Sequence, residues 1–129
     1  MYTSEDVEMF VQDGDTELST RAWNEEYLHV HMRDDYAYAG MDMLLSKEQA
    51  ELLRDTLDVF LDGGYAFEDL EMLVQDEHTE LSTCIWNADY LRVYMDDDYD
   101  VLGILLSKEQ VELLRDTLDV FLDGGYADE

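Results

Sequence analysis

The sequence predicts an α+β fold built as two successive β-β-β-β-α units, and three observations lead there. The chain of 129 residues repeats itself along its length. Within each repeat, apolar residues first alternate and then change to helical spacing. Apolar residues make up 47% of the chain and aromatics 12%, enough for a packed core and unlike an acidic disordered tail, which is poor in aromatics.

The repeat is direct. Tyr2 to Tyr36 aligns without a gap on Tyr65 to Tyr99, sharing Val-Gln-Asp, Thr-Glu-Leu-Ser-Thr and Trp-Asn. After a loop shorter by two residues in the second copy, Ser46 to Ala66 matches Ser107 to Ala127 at every position but Ala50, which is Val111. The expected organisation is a first β4α repeat over 1–64 and a second over 65–129, packed as one compact unit through the short linker Gly63-Gly64-Tyr65-Ala66. A unit of roughly 60 residues is only marginally stable alone.

In the first copy, Val7, Met9 and Val11 point one way, opposite Asp6, Glu8 and Gln12. The turn Asp13-Gly14-Asp15 leads to a second strand marked by Leu18, Thr20 and Ala22. Asn24-Glu25-Glu26 is a tight connection to a third strand carrying Leu28, Val30 and Met32, and a fourth runs near Met41 to Leu45 after the loop 34–40. Ser46 reads as an N-cap with Glu48 in the first turn. Gly63-Gly64 is expected to end the helix in left-handed conformation. The core face of that helix is Ala50, Leu53, Leu57, Phe60 and Leu61.

Two antiparallel sheets, each covered by one helix and related as a pseudo-twofold dimer, follow from this order. The element order resembles that of the PUR repeat, a nucleic-acid-binding unit, although the charge here is opposite in sign to what nucleic acid attracts. The second sheet face carries Trp23 and Tyr27 in one copy and Trp86, Tyr90 and Tyr94 in the other, and these aromatics are expected to pack the copies together.

Thirty-four Asp and Glu against seven Lys and Arg give a formal net charge of -27. Such an excess opposes folding through self-repulsion and points to a basic partner or a salty medium. It excludes nucleic acid and anionic membrane surfaces as direct ligands. The lone Cys84, the absence of a signal-like N-terminal segment and the absence of a long apolar run lead to the expectation of a soluble intracellular protein, in the cytoplasm, including that of a host cell.

The charge is patterned. Glu48, Glu51, Asp55, Asp58 and Asp62 follow the three-and-four spacing that puts them on one narrow helix face, and Glu109, Glu112, Asp116, Asp119 and Asp123 repeat it. Like charges at this spacing cost about 0.2–0.5 kcal/mol each, and only Arg54 and Arg115 offset them. Over a stripe of about 21 Å the charges fall about 5 Å apart, the same order as the roughly 3.4 Å per phosphate of one DNA strand. Leu52, Thr56 and Val59, with Leu113, Thr117 and Val120, lie on a flank where the two helices are expected to meet.

Other constellations are set aside. Asp96, Asp98 and Asp100 begin like a calcium loop, but Leu102 and Ser107 stand where Gly and Glu are needed. His29 and His31 supply two metal ligands where a site needs more, and the second copy has Arg92 and Tyr94 there. Cys84 corresponds to Arg21 and has no evident base. The expectation is therefore no catalytic residue, no metal and no cofactor.

The ten stripe carboxylates are the expected partner-binding residues. The leading functional expectation is an acidic protein inhibitor that imitates nucleic acid and blocks the basic groove of a DNA- or RNA-binding protein or nuclease complex. In charge it resembles the small acidic phage proteins that counter restriction, CRISPR or repair enzymes. The alternatives are an immunity protein or antitoxin capping a basic nuclease or toxin, and a halophilic protein whose charge serves the medium. The sequence leaves a homodimer open.

Overall fold

The computed structural model describes residues 2–3, 7–36, 39–63, 70–123 and 126–127. Its element order is β1 (Tyr2–Thr3), β2 (Met9–Asp13), β3 (Thr16–Ala22), β4 (Tyr27–Asp34), β5 (Ala39–Ser46), α1 (Lys47–Asp62), then β6 (Met72–Asp76), β7 (Thr79–Ile85), β8 (Tyr90–Asp96), β9 (Val101–Ser107), α2 (Lys108–Asp123) and β10 (Tyr126–Ala127). Strands β2 to β5 form one antiparallel four-stranded meander and β6 to β9 another, while β1 and β10 pair in parallel. The tandem β4-α repeat of the α+β class is thus the observed architecture. The linker residues Gly64, Tyr65 and Ala66, and Asp6, lie outside the described residues.

Alternation fixes the faces. Met9 and Val11, Leu18 and Thr20, Leu28, Val30 and Met32, and Met41, Met43 and Leu45 are all buried, while the residues between them are more exposed. Because the side-chain period is two, the register that pairs Leu18 with Met32 and Val30 with Met43 brings every apolar row to one side. The first hairpin turns on Gly14 and Asp15, with φ +60° at Gly14. Positive φ at the first central residue is what a tight two-residue hairpin asks for. The second copy uses Glu77 at the same place, with φ 52°.

Each helix starts with a complete capping box: Ser46 Oγ accepts from Gln49 N and Ser46 N donates to Gln49 Oε1, and Ser107 and Gln110 do the same. Ala50, Leu53, Leu57 and Phe60 are buried as expected, together with Thr56, whereas Leu61 is only half-buried. The left-handed end is corrected in part: Gly63 takes the positive φ of 75° that glycine allows, but its ψ of -174° lies outside the left-handed helical region, and Gly64 lies outside the described residues.

The two copies join along sheet edges and helices. α1 packs on β4 and β5 of its own sheet and on β6 of the other, and α2 packs reciprocally on β8, β9 and β2. At the edges, Asp76 Oδ2 accepts from Leu44 N at 3.0 Å and Asp13 Oδ2 from Leu105 N at 3.2 Å. Gln49 Nε2 donates to Gln75 O and Gln110 Nε2 to Gln12 O. The repeated Val-Gln-Asp therefore seals the edge strands of the opposite copy, which would otherwise present unpaired backbone groups. The buried apolar residues of both copies form one cluster, with Phe60 and Phe121 fully buried within it.

Candidate functional site

The helical layer gathers the expected site residues. Lys47 Nζ donates to Phe121 O, and Lys108 Nζ to Phe60 O at 2.9 Å, so each helix begins where the other ends and the pair is antiparallel. Each ammonium also lies 4.1 to 4.2 Å from the centroid of the phenylalanine ring it caps. A cation at the carbonyl end of a helix answers the dipole, and neither helix has a basic residue in its own last turn. Burial lowers the pKa of Lys47, with Glu25 opposing.

The arginines cross between the helices as well. Arg54 Nη1 lies 3.1 Å from Asp119 and Arg115 Nη1 3.0 Å from Asp58, while their Nε atoms hold Asp55 and Asp116. Four of the seven Lys and Arg are thus committed to the joint between the copies. Of the ten expected site residues, Asp55, Asp58, Asp116 and Asp119 have arginine partners. Glu48, Glu51, Asp62, Glu109, Glu112 and Asp123 are exposed and make no ion pair with a described residue. An open groove in this layer is lined by Glu51, Asp116, Asp119 and Asp123, with Arg54, Val120 and Leu122.

The expected helix-helix ridge is corrected. At 100° per residue, Leu52, Thr56 and Val59 fall well round the helix from Arg54 and Asp58, which make the cross-helix contacts. Thr56 is buried with its hydroxyl on Leu52 O, Val59 packs against the core, and Leu52 is 46% exposed, like Leu113 at 47%. The aromatic expectation is corrected too. Trp23 and Trp86 are 56% and 54% exposed and Tyr27 and Tyr90 39% and 41%, because the copies meet through the inner sheet faces, the edges and the helices.

On the outer face of the first sheet, β4 places His29 and His31 side by side, and register sets Asp42 of β5 opposite His31. Asp42 Oδ1 lies 2.9 Å from His29 Nε2 and 2.7 Å from His31 Nδ1. The imidazole rings stack 6.4 Å apart, and Trp23 stacks on His29. Burial holds His29 below the ordinary histidine pKa, Asp42 opposing this and Arg21 and His31 adding to it. Gly40 leaves room for the His31 ring, since a Cβ there would lie 3.4 Å from its Cε1. In the second copy Arg92 lies over the rings of Trp86 and Tyr94, and Tyr94 covers Gly103, the counterpart of Asp42. Asp42 was not legible as a member of this group, because its cross-strand register depends on the loop 35–38, whose length no motif specifies.

Around the loop following β8, Asp97 accepts from Tyr99 N and Asp100 N, and the bond from Asp100 is the larger cause of its lowered pKa, that from Tyr99 the next. His78 is 3.5 Å from Asp98. No helix among the described residues is long and apolar enough to cross a membrane. No protein-family model matches the chain, and no curated protein is significantly similar to it.

Proposed function

We propose that the protein binds a basic, nucleic-acid-binding protein through its helical layer, imitating nucleic acid and excluding the true ligand. One observation carries this reading: all four Lys and Arg of the two helices turn inward to join the copies, leaving six outward carboxylates that make no ion pair with a described residue on two antiparallel helices. Packed helices lie about 8–10 Å apart, a spacing comparable to duplex grooves of about 6 and 12 Å. Two antiparallel acidic rows on such a pair of helices suit a groove shaped for two antiparallel phosphate strands. The layer uses no catalytic group, metal or cofactor.

The test is displacement of a fluorescent duplex from a panel of purified basic nucleases and repressors. The chain is expected to release duplex from at least one of them, steeply less as salt rises. The Gln and Asn variant of Glu48, Glu51, Asp62, Glu109, Glu112 and Asp123 is expected to lose that effect. Failure to displace duplex from any panel member at low salt, or displacement by the neutralised variant equal to that of the native chain, would overturn the proposal.

A second reading rests on the exposed Trp23 and Trp86, each beside an exposed tyrosine. Exposed Trp and Tyr are the residues that anchor protein interfaces, as a cap on a basic toxin or nuclease would need. Alanine at both tryptophans distinguishes the two readings: it would abolish capping and leave charge mimicry intact.

A further inference from the structure

We infer that the outer face of the first sheet is a binding site for one zinc-class divalent ion, held by His29, His31 and Asp42. A ring nitrogen from each histidine already converges on a single point, at 2.9 and 2.7 Å, and that point is the Asp42 oxygen. Zinc takes imidazole nitrogen at about 2.0–2.1 Å and carboxylate oxygen at about 2.0–2.2 Å, so each nitrogen must close by less than about 1 Å around an ion at that point. As the side chains stand the donors bond to one another, and no group of three His, Cys, Asp or Glu among the described residues is arranged to hold a metal, this one included. Entry of the ion therefore requires Asp42 to swing back.

Asp42 is free to do so. Its side chain is 58% exposed, and it stands at the edge of a pocket that it forms with Ser19, Arg21 and the two histidines. The histidines, 14% and 34% exposed, stack on one another, and His29 stacks on Trp23. To coordinate the ion, each imidazole presents the ring nitrogen that faces Asp42 without a proton and carries its hydrogen on the other nitrogen. Water completes the coordination. Imidazole with carboxylate suits zinc, nickel or copper better than magnesium or calcium. The charge of -27 concentrates cations near the surface, while Arg21, opposite His29 across β3 and β4, weakens the site. The second copy has Arg92, Tyr94 and Gly103 at the equivalent positions, so the stoichiometry is one ion per chain.

The experiment is a titration of the chelator-treated full-length chain with zinc by calorimetry, and with cobalt by visible absorption, in excess magnesium to cover unspecific acidic sites. A saturable one-to-one site with a cobalt d–d band is expected, along with a higher melting temperature in zinc. His29→Gln combined with His31→Gln should weaken binding by about a hundredfold or more, Asp42→Asn by about tenfold, and His78→Gln should change nothing. Metal-free melting curves establish that each variant is folded. Absence of a saturable site, or retention of the cobalt band in the double histidine variant, would overturn the inference.

Discussion

The two copies agree most along their helices and differ most in one patch on the outer sheet faces. The helices and their caps are the same residue for residue except at Ala50 and Val111, both fully buried. On the outer sheet faces, Arg21, His29, His31 and Asp42 stand against Cys84, Arg92, Tyr94 and Gly103. The joint constrains both copies through one pseudo-twofold set of contacts, since every residue there is used once as itself and once as its counterpart's partner. The outer faces have no such reciprocity, so each can hold its own arrangement: a histidine-carboxylate cluster in one copy, an arginine between aromatic rings in the other.

The largest effects should test the sameness of the inner halves. Phe60→Ala and Phe121→Ala should each destabilise by about 3–5 kcal/mol, by similar amounts, and each should lower a single cooperative transition in circular dichroism and calorimetry. Two separable transitions, or a loss confined to one copy, would break the view of one shared core. Next, Lys47→Met and Lys108→Met keep the apolar stem but remove the charge at the opposite helix terminus, and each should cost about 1 kcal/mol in urea unfolding. Equal losses are expected from the mirrored contacts; no loss from either would show the caps to be energetically idle.

Salt acts on both copies alike. Screening shortens the Debye length from about 10 Å at 0.1 M to about 3 Å at 1 M, so the chain is expected to be folded in dilute buffer and to melt at a modestly higher temperature with added salt. Disorder at low salt that recovers only above molar concentrations would favour the halophilic alternative. The smallest prediction concerns the hairpins. Glu77→Gly should stabilise by about 1 kcal/mol, because a left-handed non-glycine residue carries a penalty of order 1–3 kcal/mol, partly offset by the roughly 0.5–1 kcal/mol entropy cost of glycine. Gly14→Ala should lose a similar amount, for conformational reasons alone, since a Cβ there meets nothing within 4 Å.

The repeat, the order of the four strands in each main sheet, the inward rows, the helices and their Ser46 and Ser107 caps were legible in the sequence alone, whereas the short parallel pair of β1 with β10 was not. Period-two and helical alternation and capping are local, and a duplicated chain states each of them twice. It also determined that ten carboxylates share the helix faces, because spacing along a helix sets direction. What it left undecided was everything set by one copy's approach to the other. That Arg54 would reach Asp119 and not its own stripe alone, that Lys47 would cap α2, that Asp13 and Asp76 would seal opposite edges, and that Trp23 and Trp86 would stay outside are long-range outcomes. They depend on which edges meet and in which direction the helices run, and those choices follow from burying both sheets in one core, a balance over all the apolar surface that no stretch of residues encodes alone.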